Sequence, residues 1–252
     1  MDAGRLFSVD GKAVAVTGGS RGIGAMIAEG FVSAGARVYI TARKAQACDE
    51  TAERLGATSL PADLSTVEGR EHFAAELGER EDALHVLVNN AGATWGAPLD
   101  EFPESGWDKV IGVNLKGLFE LTRLLLPRLR AAASDGDPAR VINIGSIDGL
   151  RVPTFENYSY SAAKAGVHML TRHLAKRLAG ERITVNAIAP GPFPSQMTAF
   201  ILEGHEAELA ATVPLGRIGE PEDAAGTAIF LASRAGAYIS GAIIPVDGGV
   251  AA

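Results

Sequence analysis

The sequence has one cysteine in 252 residues, no long apolar run and no excess of basic residues. Cys48 alone cannot close an internal disulfide, so a reducing, cytoplasmic setting is expected. Lys and Arg number 23 against 30 Asp and Glu, and the net charge of −7 argues against a nucleic-acid backbone binder, which needs a concentrated basic face. No stretch approaches the roughly 18 apolar residues of a membrane span. Even Leu124, Leu125 and Leu126 sit between Arg123 and Arg128. Asp2, Arg5 and Asp10 interrupt any apolar run near the start, so no secretory leader is expected. There is no fixed-period repeat, no low-complexity tract and no Pro- or Gly-rich linker; the turn Ala133–Pro138 is too short to divide the chain. One domain over 1–252 is expected, and 47% apolar with 21% charged residues is an ordinary folded composition.

What is present is alternation. Apolar, β-branched runs at Lys12–Thr17, Arg37–Ala42, Leu84–Asn89, Arg140–Gly145, Ile183–Ala189 and Ala242–Val246 read as buried strands. Amphipathic stretches lie between them at Gly22–Ala34, Lys44–Leu55, Thr66–Glu79, Ser105–Arg130, Ser159–Leu178 and Glu222–Ala232. Strand–helix–strand alternation predicts an α/β fold with a parallel sheet and helices on both faces. The segment Gly191–Val213 breaks the rhythm, with Pro190, Pro192 and Pro194 at its start and Met197, Phe200, Ile201 and Leu202 further on. It leaves the carboxyl end of a strand, where ligands bind in such sheets, so it reads as a substrate lid.

The first strand runs into Thr17-Gly18-Gly19-Ser20-Arg21-Gly22-Ile23-Gly24 and then directly into a helix. Gly18 allows a tight turn, Gly22 lets the backbone approach a pyrophosphate and Gly24 lets the helix pack close. The free N–H groups of the helix start attract phosphate, so the expectation is a dinucleotide site. Tyr160 and Lys164 are four apart in a helical pattern and share a face. A neighbouring ammonium should lower the tyrosine pKa from about 10 and make the pair a usable acid/base. Ser146 follows a strand, where its hydroxyl can hydrogen-bond a substrate carbonyl.

The glycine spacing, with Asn89-Asn90-Ala91-Gly92, Asn114, Ser146, Tyr160-x-x-x-Lys164, Pro190-Gly191 and Pro245-Val246-Asp247-Gly248-Gly249, resembles the short-chain dehydrogenase/reductase family over nearly the whole chain. The resemblance implies a Rossmann-type doubly wound sheet of about seven strands. It implies that Tyr160 donates or accepts the proton, Ser146 orients substrate, Lys164 also holds the nicotinamide ribose and Asn114 supports a proton relay. It carries cofactor contacts onto Gly18, Ser20, Arg21, Gly22, Ile23, Gly24, Asn90, Ala91, Gly92, Pro190, Gly191 and Thr198, and an adenine-side contact onto Asp63-Leu64.

Two local features refine this. Tyr158 has Ala162 four residues on and so lacks a cationic partner, and Ser146 to Tyr160 spans fourteen positions, one more than the commonest family spacing. The extra residue should fall in the loop Asp148–Asn157 and alter the pocket wall. Where an NAD-specific site places a carboxylate after the second strand, this chain has Ala42 followed by Arg43. Arg43 and Arg21 can converge on a 2′-phosphate, which points to NADP(H).

No metal site is expected: His168 and His173 are five apart, and His72, His85 and His205 are scattered. Cys48 reads as lying in an exposed helix without a partner, and Trp95, Phe155 and Phe193 as either pocket mouth or core. Trp95-Gly96, the run Ala189–Thr198 and the long serine–tyrosine spacing resemble a branch of rhamnolipid-associated β-ketoacyl reductases. The leading expectation is NADPH-dependent reduction of a 3-oxoacyl or other hydrophobic ketone. The alternatives are an NADP-linked dehydrogenase of a polyol or steroid, and a non-catalytic cofactor-binding regulatory protein. The expected partner is a small molecule, with neither nucleic acid nor membrane. By resemblance the assembly is a homotetramer or homodimer, pairing the long helices and packing the Gly241–Ala252 end.

Overall fold

Each apolar run becomes a strand with both faces covered. In the computed structural model, which describes residues 2–194 and 206–252, all five residues of β1 (Ala13–Thr17) are buried. Val14 and Val16 face one way, onto Ile27 and Phe31 of α2 (Gly22–Ser33), after the short α1 (Ala3–Leu6). Ala15 faces the other way, into a second apolar cluster with Leu121 and Leu125. The strands that follow are β2 (Arg37–Thr41), β3 (Thr58–Ser59), β4 (Val86–Asn89), β5 (Ala139–Ile144), β6 (Ile183–Pro190) and β7 (Ile243–Val246). They form one parallel sheet in the order β3-β2-β1-β4-β5-β6-β7. The chain order reverses between β1 and β4, which opens a crevice at their carboxyl ends.

The first face is covered by α2, α3 (Ala45–Leu55) and α9 (Pro221–Ala232), and the second by α4 (Val67–Gly78), α6 (Leu118–Ala132) and α7 (Tyr158–Leu178). Ile27, Phe31, Leu121 and Leu125 are essentially inaccessible, and such burial contributes on the order of 2 kcal/mol per side chain. At the amino ends of the strands, charged groups tie the sheet together. Lys12 and Arg140 both pair with Asp137, and Arg37 and Tyr39 share Glu81 at 2.7 and 2.8 Å. The carboxyl ends carry no such network of ion pairs among the described residues, and the motif residues gather there.

Two expectations need correction. The stretch Ser105–Arg130 is not one regular helix: α5 (Glu104–Ile111) passes through a π-helical turn, Gly112–Gly117, into α6. The wider turn lets the Asn114 amide face inward, where Oδ1 accepts the Ala93 N–H at 2.8 Å and Nδ2 donates to the Ala93 carbonyl at 2.9 Å. Cys48 is fully buried, not exposed, because it shares with Thr51, Ala52 and Leu55 the face of α3 turned to the sheet. Strand β3 has only two residues and no apolar run, so its pattern was too short to read. Of the lid segment, Gly191–Pro194 is irregular, and α8 (Glu206–Ala211) leads to a buried Val213. Thr198 and the apolar positions Met197, Phe200, Ile201 and Leu202 lie outside the described residues. Among the described residues no helix is long and apolar enough to cross a membrane.

Candidate active site

The turn after β1 is built for close approach. Gly18 and Gly22 take φ of 64° and 53°, a region that side-chain-bearing residues rarely adopt. A Cβ on Gly24 would overlap the Gly18 carbonyl and the Asn90 amide, so the helix start can sit this close only with glycine. The turn is held from three sides. Gly19 N–H donates to the Thr41 carbonyl at 3.1 Å, and Thr51 Oγ1 donates to the Ser20 carbonyl at 3.0 Å. Asn90 Nδ2 donates to the carbonyls of Thr17 and Gly18 at 2.9 and 3.1 Å. Thr17 Oγ1 in turn accepts the N–H groups of Asn90 and Ala91 at 2.8 and 2.9 Å. Thr17 was not among the residues singled out in the sequence; its place directly before Gly18 was the available signal.

Around this cradle, Arg21 is the exposed residue before α2, Ile23 is half-buried in the first turn of α2, and Arg43 is exposed just beyond β2. Arg43 acts electrostatically on Asp63. Burial would raise the Asp63 carboxyl, but hydrogen bonds from the Ser65 hydroxyl and N–H, with the Arg43 charge, hold it below its ordinary value. Leu64 is buried beside it, and its carbonyl accepts from the buried Arg70 at 2.8 Å, a contact that no sequence motif signalled. Gly92 packs against Asn114, where a Cβ would meet Oδ1 at 3.2 Å. Gly191, after Pro190 at the end of β6, is pressed against Asp247, and a Cβ would lie 2.7 Å from its Cα. A cleft of about 630 Å³ opens beside it, lined in part by Pro192, Phe193, Ile218, Ile244 and Val246.

Ser146, Tyr160 and Lys164 lie just past the end of β5 and at the start of α7. Ser146 stands two residues beyond the strand, and its Oγ accepts the Asp148 N–H at 3.1 Å. Lys164 is buried with Nζ donating to the Ile144 carbonyl at 2.7 Å and lying 5.5 Å from the Tyr160 ring centre. Here the expected pKa shift is reversed. Burial pushes the Tyr160 phenol up to about 12, against a hydrogen bond from Ser146 that favours the phenolate, while the Asp148 charge raises it further. Burial likewise brings Lys164 down to about 8. Desolvation disfavours the charged form of each and is the leading cause of both shifts. Tyr160 therefore holds its proton at neutral pH, as a donor requires.

The other sequence candidates separate. His168 is buried against Gly145 and Gly149, and burial brings it down to about 4, so it is neutral. Tyr158 hydrogen-bonds Glu156 at 2.8 Å and stacks edge-on with Phe102. Phe193 is buried and also lines the cleft, Phe155 is exposed, and half-buried Trp95 lies over Gly106 with Lys109 Nζ 5.0 Å from its ring. Among the described residues no three His, Cys, Asp or Glu side chains gather as metal ligands would.

A dinucleotide cradle and a tyrosine–lysine–serine group at the carboxyl edge of one doubly wound sheet define a class, the oxidoreductases built on a single Rossmann-type domain. The family model described as enoyl-(acyl carrier protein) reductase matches residues 18–251. The chain belongs to the short-chain dehydrogenase/reductase family and is an oxidoreductase. It is 51% identical to the rhamnolipids biosynthesis 3-oxoacyl-(acyl-carrier-protein) reductase of Pseudomonas aeruginosa, over 96% of this chain and 97% of that one. It is 40% identical to a galactitol 2-dehydrogenase (L-tagatose-forming) of Cereibacter sphaeroides, over 99% of this chain and 98% of that one. Among solved structures, the Pseudomonas aeruginosa RhlG/NADP active-site complex superposes with a TM-score of 0.96 at 49% identity, covering 98% of this chain and 99% of that one.

Proposed function

We propose that this enzyme reduces a ketone to a secondary alcohol with NADP(H), its substrate a 3-oxoacyl or other hydrophobic carbonyl compound. The observation that carries the reading is the grouping at the carboxyl edge of the sheet, where Lys164 Nζ, held by the Ile144 carbonyl at 2.7 Å, lies 5.5 Å from the Tyr160 ring centre and Ser146 stands just past β5. The glycine cradle fits a pyrophosphate, because a Cβ at Gly24 would fill the space the turn needs, and Arg21 and Arg43 flank it with positive charge. When bound, the cofactor supplies the hydride that adds to the carbonyl carbon.

The chain's own residues handle the oxygen. Ser146 and Tyr160 hydrogen-bond it, and Tyr160 gives up its phenolic proton as negative charge develops there. Lys164, held by the Ile144 carbonyl, offers a positive charge close to the phenolate that remains, and Asn114 in the π turn supports the relay that restores the proton. The cleft beside Gly191, walled in part by Phe193, Ile218, Ile244 and Val246, supports an apolar substrate.

The test is NADPH consumption, with NADH in parallel, on β-ketoacyl thioesters of increasing chain length beside non-acyl ketones and polyols. Turnover that prefers NADPH and improves with acyl length is expected. Activity confined to non-acyl ketones or polyols would discard the acyl substrate, and the 40% identity to a galactitol dehydrogenase makes polyol oxidation the second reading. No turnover on any compound, with cofactor still bound, would favour a purely binding role.

For assembly we propose a homotetramer pairing the outer faces of α6 and α7, where Phe119 and Met169 are exposed and a groove runs between the helices past Leu126 and Leu174. Light scattering should give about four times the 26.1 kDa chain mass. A monomeric mass would overturn this.

A further inference from the structure

The loop between Ser146 and Tyr160 carries the extra residue of this chain, and its base is fastened by a polar clasp that no motif accounts for. Asn157 caps the start of α7, and its Nδ2 donates to the Asp148 carboxylate at 3.2 Å. Its Oδ1 accepts from Ser161 Oγ at 2.9 Å, and its carbonyl accepts the Tyr160 N–H at 2.9 Å. Asp148 reaches the other reacting residue through its own N–H, given to Ser146 Oγ at 3.1 Å. One short network therefore runs from the Ser146 hydroxyl through Asp148 and Asn157 to the backbone N–H of Tyr160.

We propose that Asp148, clasped by Asn157, is a positioning residue that orients the Ser146 hydroxyl and sets a negative charge beside Tyr160, so that the phenol keeps its proton until the substrate takes it. This rests on the proton-donor reading of Tyr160.

With one lone pair of Ser146 Oγ occupied by the Asp148 amide, the serine O–H remains available to donate to a substrate oxygen. The groups that face the phenol are Ser146 from the end of β5, Asp148 from the turn after it and Lys164 from α7. Ser146 favours the phenolate, whereas Asp148 opposes it. Repulsion between the carboxylate and the nascent phenolate acts across a site from which water is partly excluded, where charges are felt more strongly than at the surface. The carboxylate thus biases the site toward reduction, which consumes the phenol's proton, and against oxidation, which starts from the phenolate.

The sign of the test follows. Asp148→Asn keeps the shape and an acceptor for Asn157 but removes the charge, so the phenol should lose its proton at lower pH. The alkaline limb of the reduction rate should move down by about half a pH unit or more, and the onset of alcohol oxidation should move with it. The NADPH dissociation constant should stay unchanged. Asn157→Ala frees the carboxylate to swing away and should move the limb in the same direction. An ultraviolet difference titration against Tyr160→Phe follows the phenol without turnover and should show the same displacement. An unmoved limb in Asp148→Asn, or in Asn157→Ala should the first variant fail to fold, overturns the role of Asp148. A Tyr160→Phe enzyme that stays active would instead overturn the reading on which it rests.

Discussion

Tyr160→Phe is expected to lower kcat by roughly 10²–10⁴-fold, the usual cost of a lost general acid. The ring stays, so packing and the 5.5 Å placement of Lys164 against it should persist. Only the phenolic hydroxyl is removed. NADPH affinity and unfolding midpoint should therefore match the parent, with the loss confined to kcat. The check is steady-state kinetics on the best substrate of the thioester panel, beside NADPH binding by fluorescence. Retention of most activity would mean that solvent or another group delivers the proton, and the assignment of Tyr160 would fall.

The second large effect concerns the choice of cofactor. Arg43→Ala and Arg21→Ala are each expected to weaken NADPH binding by roughly 10–100-fold, because a hydrogen bond to a charged group is worth about 1.5–3 kcal/mol. NADH lacks the 2′-phosphate and should bind the variants about as well as it binds the parent. The local argument is charge. Ala42 stands where an NAD-specific site has a carboxylate, and Arg43 already acts on Asp63. The double variant should lose more than either single one, since both guanidinium groups address one phosphate. Measuring both cofactors on all three variants decides it. Parallel losses for NADPH and NADH would show that the arginines merely shape the turn.

The roles expected of the two basic groups now rest on different footings. Lys164 was expected to act by lowering the Tyr160 pKa, yet burial dominates both side chains and leaves the phenol protonated. The reason is desolvation, which disfavours the phenolate and the ammonium alike. A sequence shows that two residues share a helical face, but not how much water each retains, and that balance decides the sign of a shift.

By itself, the sequence determined the alternation of strands and helices, the glycine turn between β1 and α2, and the pairing of Tyr160 with Lys164. These depend on short-range rules: unbroken apolar runs for strands buried on both faces, glycine where φ is positive, and the i,i+4 spacing that puts two side chains on one face. Only the tertiary structure decided what depends on residues distant in the chain. Cys48 is buried because the sheet covers its side of α3, Asn114 turns inward because Ala93 bonds its amide, and Thr17 serves the turn of β4 seventy-odd residues away. Asp148 and Asn157 were visible only as the bounds of a loop, because a polar clasp has no periodicity. It exists where the end of β5 and the start of α7 are brought together, and packing across the sheet sets that distance.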